Sequence, residues 1–547
     1  PGKESTFQFL QDIIDEMVEI FPSPYYHIGG DESPRKEWAA CPLCQKRADE
    51  LGLKAEEGRS REAQLQSYVV SRMEKYLNRY GKTIIGWDEI LEGGGLNPTA
   101  VVMSWRGTKG AIEAARAGHH AIMSPSSDGY YLDYYEGDRA LEPVAPTYAG
   151  SVPLDMTYGF EPIVPELEGE NEQYVLGTQG NLWAEYITDD ALMEYRFYPR
   201  ILAIMETGWT PRHKKDFTDF SRRIDNDAYL RPQAHKANFY IPMPEQPEGS
   251  CDYIAFTDQA TLTFKTHRPL PMHYTTDGSD PTAESEKYTV PITIDDMSDT
   301  ENRLSARRDI VPGNAEAPRS NVDKAAVIRA VSVDSEGNVS QPVTRTYFIG
   351  KTNSGYYPKM KVVSLVTDPD NLFDYDKGIY CLGKVYGGEK QEGQPGAEDK
   401  PKEGDKPEEH AGPEEHGGPE GRVEPKRAPN VWEIEANYSQ RGKEWERPAH
   451  FTLFEDGEMV LEENVGIRIK GNYSRCLPQK SFNVYTRQEY GASEFDHDFF
   501  SGTSVKAKNG KAVKKYDGLV LRNGGNDNTF AFFRDSINQS LVADRAF

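Results

Sequence analysis

Cysteine is scarce in this chain: there are 5 in 547 residues. Only Cys41 and Cys44 lie close together, as Cys41-x-x-Cys44. No disulfide framework can be read from such spacing. Zinc would need two further ligands at suitable intervals, and no such motif accompanies the pair. Plain thiols, a bond between these two, and a metal site all stay open. Long apolar runs are also missing, so no segment is long enough to span a bilayer as a helix. Positive charge is in deficit, with 63 Lys and Arg against 88 Asp and Glu, a formal net charge of −25. That balance argues against nucleic acid or an anionic membrane as partner. The chain starts "PGKEST", without Met or a signal peptide, and stops at "VADRAF" within a helical pattern. Both ends read as cut, so the lack of a targeting segment carries little weight.

What is present suffices for several cores. The chain is 37% hydrophobic and 11% aromatic, and its length predicts two to four domains. Its 31 Tyr and 7 Trp are residue types that often line sugar-binding surfaces, although most Tyr are simply half-buried.

Residues 6–20 carry Phe7, Phe9, Leu10, Ile13, Ile14, Met17 and Val18 at helical spacing. "YYHIGG" then reads as a short buried strand, and 62–80 as a helix. "KTIIGWDEI", "TAVVMSWRG", "HHAIMSP" and "YVLGTQGNLW" read as further strands, with a helix in "GAIEAARAG" and another through "EYRFYPRILAIMETGW". Strands alternating with helices predict a parallel sheet. From about residue 250 the pattern changes to short alternating strands separated by Asp, Gly, Ser and Pro, which reads as a β-sandwich over 251–350. Residues 213–250 form the linker before it. A third unit is expected over 360–547. Within it, 387–422 contains no large apolar residue and reads as a disordered acidic insert.

The chemistry-bearing residues gather where the predicted parallel strands end. They are Asp31 and Glu32, Trp87 with Asp88 and Glu89, Trp105, Tyr131 to Asp133, and Trp183 with Glu185. Such positions carry active sites in (β/α)₈ barrels and open α/β sheets alike. Asp31 and Glu32 are neighbours, and on a regular strand they would face opposite ways. They can share a site only if the backbone turns there, and Gly29-Gly30 permits that. A two-carboxylate glycosidase holds its carboxyl groups roughly 5–9 Å apart, which neighbours fit poorly; substrate-assisted catalysis has no such requirement. Each residue also has a plainer reading: Asp88 and Glu89 as the acidic start of a helix, the tryptophans as core, and His27 as a hydrogen-bonded support.

"HIGGDE", "IIGWDEI", "VVMSWRG", "YYLDYY" and "TQGNLWAEYI" occur in the order and spacing of glycoside hydrolase family 20. Residues 1–212 resemble the C-terminal five-eighths of that family's catalytic (β/α)₈ TIM barrel. The resemblance implies a β-N-acetylhexosaminidase acting on glycans with terminal N-acetylhexosamine, without cofactor or metal. It implies Glu32 as general acid/base, Asp31 as orienter of the 2-acetamido group and Tyr131 as donor to the acetamido oxygen. Trp87, Trp105 and Trp183 would wall the pocket, Asp133 and Glu185 would bind substrate groups or hold the walls, and His27 would support the site. The family's substrate-binding Arg belongs to an earlier strand and is not in this chain. This segment alone is therefore expected to be inactive or nearly so, and prone to aggregate.

"YTTDGSDPT", with Tyr274, Asp277, Gly278, Asp280 and Pro281, resembles the β-sandwich that follows the barrel in chitobiases and hexosaminidases, read here as a spacer. Residues 360–547 resemble the N-terminal part of CotH-like proteins, an atypical kinase family with an α+β fold. By that resemblance Lys480 is a candidate phosphate contact, and Arg468 and Arg475 could meet anions or be exposed strand charges. The expected whole is part of a secreted or cell-surface bacterial protein. Two rival readings are a glycan-binding surface protein without catalysis and a kinase carrying the barrel as passenger.

Overall fold

The computed structural model describes residues 1–137, 150–226, 240–246, 253–266, 268–313, 315–388, 430–500 and 510–525. The chain forms two compact units. One comprises 1–245 with 264–272 and 331–341; the other comprises 246–263, 273–330 and 342–547. The tract read as an acidic insert, 387–422, lies outside the described residues except for Gly387 and Gly388.

In the first unit the elements run α1 (Glu4–Ile20), β1 (Tyr25–His27), α2 (Lys36–Ala40), α3 (Pro42–Glu50), α4 (Arg61–Leu77), β2 (Thr83–Trp87), β3 (Val101–Ser104), α5 (Lys109–Arg116), β4 (Ala121–Met123), α6 (Leu154–Gly159), β5 (Val175–Thr178), α7 (Asp190–Phe197), α8 (Arg200–Trp209) and α9 (Phe217–Asn226). The five strands pair in chain order β1-β2-β3-β4-β5, and every pairing is parallel. This is the sheet the alternating pattern predicts. β2, β3 and β4 are buried or half-buried apolar runs, whereas the edge strand β1, expected from "YYHIGG" to be buried, leaves Tyr25 and His27 exposed, and the edge strand β5 exposes Leu176.

The core of this unit joins Ile84, Val102, Ala121 and Met123 of the strands to Phe7, Val70, Met73, Leu77, Ala111 and Ala114 of the helices. Full burial of a side chain such as Ile84 contributes about 1.5–3 kcal/mol. The amphipathic α1 sends Phe7 and Ile14 inward, while Phe9 and Ile13 stay exposed; its apolar arc is wider than the face it buries. Ser60 caps α4 by accepting from Ala63 N–H at 3.0 Å. The helix expected through "EYRFYPRILAIMETGW" is two helices, α7 and α8, with Pro199 between them. Proline has no N–H to continue the ladder, so the apolar periodicity runs on while the helix does not.

The later strands are β6 (Ala260–Leu262), β7 (Met272–Thr275), β8 (Glu286–Lys287), β9 (Ile292–Ile294), β10 (Ala326–Ser332), β11 (Val343–Tyr347), β12 (Val362–Val366), β13 (Arg447–Glu455), β14 (Glu458–Lys470), β15 (Ser481–Tyr485), β16 (Phe495–Asp496), β17 (Lys515–Tyr516) and β18 (Gly518–Leu521); all lie in the second unit except Met272 of β7 and Val331–Ser332 of β10. The main sheets have the orders β11-β10-β7-β8 and β12-β13-β14-β15-β18. At the "DGSD" turn, Gly278 has φ 86 and Asp277 Oδ1 accepts from Ser279 N–H at 3.1 Å, the side-chain-locked turn those residues favour. The segment read as a spacer is joined to the later sheet within this unit. Arg345 on β11 pairs with Glu462 on β14 at 2.7 Å, and His450 lies 3.2 Å from the same carboxylate. Burial works to raise the Glu462 carboxyl, but Arg345 and His450 outweigh it and hold the group at about 2.

Candidate active site

The site grows from the C-terminal ends of β1 to β5. After β1 the backbone turns through Gly29 (φ 72) and Gly30 (φ 104), and Glu32 itself sits at φ 44. A non-glycine residue in that region is uncommon and is held only by its surroundings. A Cβ on Gly30 would lie 2.6 Å from Ile90 Cγ2, so both the positive φ and the close approach require glycine there. This turn breaks the alternation that would otherwise send Asp31 and Glu32 to opposite faces. Both side chains are exposed.

A continuous set of ring contacts borders them. His27 meets Trp87 edge-on at 5.0 Å between centroids, and Trp87 lies 6.2 Å from Trp183. Trp183 meets Tyr131 edge-on at 6.0 Å, and Tyr131 stacks on Trp105 at 6.2 Å with an 11° tilt. Trp87 is buried, whereas Trp183 keeps 38% of its surface exposed. The structure thus brings Trp87, Trp105, Tyr131 and Trp183 into one cup with His27 at its edge. Burial lowers the His27 imidazole, partly offset by Asp31, and its Nδ1 accepts from Gly29 N–H at 3.1 Å. Burial raises the Tyr131 phenol, and the Asp31 charge adds to the rise.

Asp88 and Glu89 do more than start a helix, although the short 3₁₀ turn Asp88–Leu91 does begin with them. Both are buried. Asp88 Oδ2 accepts from the backbone N–H groups of Trp105 at 3.2 Å and Arg106 at 3.3 Å, while Oδ1 accepts from Arg106 Nε at 2.6 Å. Gly110 gives Asp88 its room, since a Cβ there would lie 2.5 Å from Asp88 Cβ. Glu89 Oε2 accepts from the Trp105 indole at 3.0 Å, and Oε1 accepts from Glu32 N–H at 3.4 Å. Burial raises the Glu89 carboxyl against the Trp105 and Arg106 interactions that lower it. Arg106 also reaches Glu92 at 2.9 Å, and Glu92 binds Arg35 at 2.5 Å. These ion pairs brace the loops after β1, β2 and β3.

Asn181 ties the loop after β4 to the loop after β5. Its carbonyl accepts from Leu132 N–H at 2.7 Å, its N–H donates to Tyr130 O at 2.8 Å, and its side chain donates to Ser124 Oγ at 2.7 Å. Asp133 is buried, and its carboxyl is raised chiefly by burial, with the Glu185 charge contributing and Arg200 opposing. Glu185 itself is exposed. Sequence reasoning singled out neither Asn181 nor the roles of Asp88 and Glu89, because each depends on a partner from another strand end.

Residues 1–212 match glycosyl hydrolase family 20, catalytic domain. The five-stranded parallel sheet is therefore part of a TIM-barrel-like domain. Residues 261–347 match the family described as Fn3 associated. Among curated proteins, a β-hexosaminidase of Porphyromonas gingivalis is 53% identical over 291 residues, covering 53% of this chain and 36% of the relative. A β-hexosaminidase of Vibrio furnissii is 34% identical over 209 residues, covering 38% and 33%. Among solved structures, a GH20 exo β-N-acetylglucosaminidase from Vibrio harveyi in complex with N-acetylglucosamine is 28% identical, with TM-score 0.38 over 44% of this chain and 36% of that one. The chain spans about a third of the length of these relatives.

The residues expected to meet phosphate or other anions lie in the second unit and are differently employed. Lys480 is buried, and its ammonium donates to the carbonyls of Ile310 at 2.9 Å, Arg475 at 2.7 Å and Leu477 at 2.9 Å. An ammonium has three protons, so none is left for a phosphate. Arg475 is also buried and donates to the carbonyls of Gly471, Tyr438 and Gln440. Arg468 pairs with the buried Glu446 at 3.4 Å. Arg475 is an internal strut in the turn before β15, and Arg468 is a half-buried strand charge held by Glu446.

Proposed function

We propose that this chain supplies the carboxylate pair and the aromatic cup of a β-N-acetylhexosaminidase. The enzyme removes terminal β-linked N-acetylglucosamine or N-acetylgalactosamine from glycans with retention of configuration. The observation that carries this reading is the turn at Glu32, which frees two adjacent carboxylates from strand alternation beside the cup of Trp87, Trp105, Tyr131 and Trp183.

In this reading Trp183 stacks under the sugar ring, and Trp87 and Trp105 close the walls, since sugar C–H faces pack well on indole rings. Asp31 accepts from the acetamido N–H, and Tyr131 O–H donates to the acetamido oxygen. That oxygen attacks C1 as Glu32 protonates the departing glycosidic oxygen, giving an oxazolinium intermediate. Glu32, now a carboxylate, takes a proton from the water that attacks C1 from the vacated side. Asp133 and Glu185 hold substrate hydroxyls.

The test is a rate comparison on the full-length protein that contains this chain, using an aryl β-N-acetylglucosaminide and the matching aryl β-glucoside. Cleavage of the acetamido sugar alone, lost in Glu32→Gln, is expected. Equal cleavage of both would replace the substrate-assisted mechanism with a two-carboxylate one. Binding of the sugar without cleavage would make the protein a lectin.

A further inference from the structure

The CPLC stretch at 41–44 follows the carboxylate pair and has no part in the chemistry above. Cys41 ends α2 and is the N-cap of α3, with Pro42 at the first helical position. Cys44 follows at the third helical position and is buried, whereas Cys41 is partly exposed. Cys41 has extended backbone angles, φ −82 and ψ 115, as N-caps generally do. No side-chain cap hydrogen bond forms at Cys41, but the Cys44 thiol and backbone N–H lie near enough to lower the Cys41 thiol. Residues three apart on a helix have Cβ atoms about 5–6 Å apart, somewhat beyond disulfide range. The non-helical backbone at Cys41 supplies the freedom to shorten that gap. No group of three or more potential metal ligands occurs among the described residues, so nothing there completes a metal site around the two sulfurs.

We propose that Cys41 and Cys44 are a reversible dithiol–disulfide site, with Cys41 as the attacking sulfur and Cys44 as the resolving one. The co-reactant is a low-molecular-weight disulfide such as oxidised glutathione. The Cys41 thiolate attacks one sulfur of it, forming a mixed disulfide and releasing one glutathione thiolate, which takes up a proton. The Cys44 thiol, losing its proton, attacks the Cys41 sulfur and expels the second glutathione. The protein loses two electrons and two protons, and one glutathione disulfide becomes two thiols. A helix N-terminus favours the thiolate, and the neighbouring Cys44 thiol and N–H lower the Cys41 thiol in the same direction. The closed bond would fasten the α2–α3 corner, a few residues after Glu32.

The experiment uses the full-length protein that contains this chain, in glutathione buffers of increasing oxidised fraction, quenched by alkylation and read by peptide mass spectrometry. Wild type is expected to lose both thiols together in one CPLC-containing peptide, while Cys381 and Cys476, both buried, stay reduced. Cys44→Ser is expected to stop at a glutathione adduct on Cys41. Cys41→Ser is expected to give no adduct on the buried Cys44. At neutral pH, Cys41 should alkylate faster in the folded chain than in urea. Wild type that remains reduced in fully oxidised glutathione, or that accumulates the Cys41 adduct without closure, would overturn the proposal. None of these readouts depends on glycosidase activity.

Discussion

The indole N–H of Trp105 donates to Glu89 Oε2 at 3.0 Å, and the other oxygen of that carboxylate accepts from the backbone of Glu32 at 3.4 Å. One buried side chain thus fixes a wall of the cup and the backbone of the proposed acid at once. Glu89→Gln keeps the length and shape but turns one acceptor oxygen into a donor. Either Glu32 or Trp105 then faces a donor with its own donor. Losing a hydrogen bond to a charged group costs about 1.5–3 kcal/mol, so kcat/KM on the aryl N-acetylglucosaminide is expected to fall by about 10–100-fold. The indole proton resonance of Trp105 should move as well, and an unmoved resonance would separate Glu89 from the wall.

Asp133 offers a case where stability and activity part. Burial holds its carboxyl above the ordinary range. A carboxyl raised in the fold keeps a proton that the unfolded chain has released, so stability falls as pH rises from the unfolded value, about 3.9, through the folded one. Asp133→Asn does not ionise and escapes that loss. We expect the variant to be more stable than wild type at neutral pH by about 0.5–2 kcal/mol, with the difference vanishing near pH 3. Its activity on the aryl N-acetylglucosaminide should be lower than wild type. Denaturant midpoints at several pH values measure the first effect; a gap that widens as pH falls would reverse the sign and reject the argument.

Arg200, at the start of α8, is buried and donates to the carbonyls of Leu132 at 2.5 Å, Arg196 at 2.6 Å and Val152 at 3.1 Å. It also lies 3.4 Å from the Glu136 carboxylate. Removing one partner of a buried ion pair costs about 3–5 kcal/mol. Arg200→Met is therefore expected to lower the thermal midpoint of the first unit sharply. Arg200→Met/Glu136→Gln should recover part of the loss, because the Arg200–Glu136 pair is then removed from both sides. A double variant no more stable than the single one would show that the carbonyl bonds, not the ion pair, carry the effect.

The sheet was legible because each of its strands is a short apolar run ended by a turn or a polar residue, with helical periodicity between. The site was legible to the extent that its residues stand at those strand ends. What could not be read depends on long-range pairing. Asp88 and Glu89 look like the acids that begin any helix, and only Trp105 and Arg106, from the next strand end, reveal what they hold. Asn181 resembles an ordinary turn residue until the loop carrying Tyr131 is laid beside it. Pro199 was visible, but the apolar positions on either side keep helical phase across it.

Lys480 shows the same limit most clearly, for one of its acceptors, Ile310 O, lies 170 residues away in the sequence. A lysine in "PQKSF" reads as a charge available to a phosphate. In the fold it is buried between the rings of Tyr438 and Tyr380, 4.1 and 5.1 Å from their centroids. Burial pulls its ammonium down to about 7. An unfolded lysine titrates near 10.4, so between about pH 7 and 10 the unfolded chain binds more protons than the folded one. Stability therefore rises with pH across that window. Lys480→Met removes the slope and strips three carbonyls of their donor, at about 1–3 kcal/mol for each buried group left unpaired. Urea midpoints of the wild-type second unit should rise, relative to Lys480→Met, between pH 7 and 9. A flat difference would mean that the three carbonyls and the Tyr438 ring keep the ammonium charged throughout, which would leave Lys480 a strut of fixed charge.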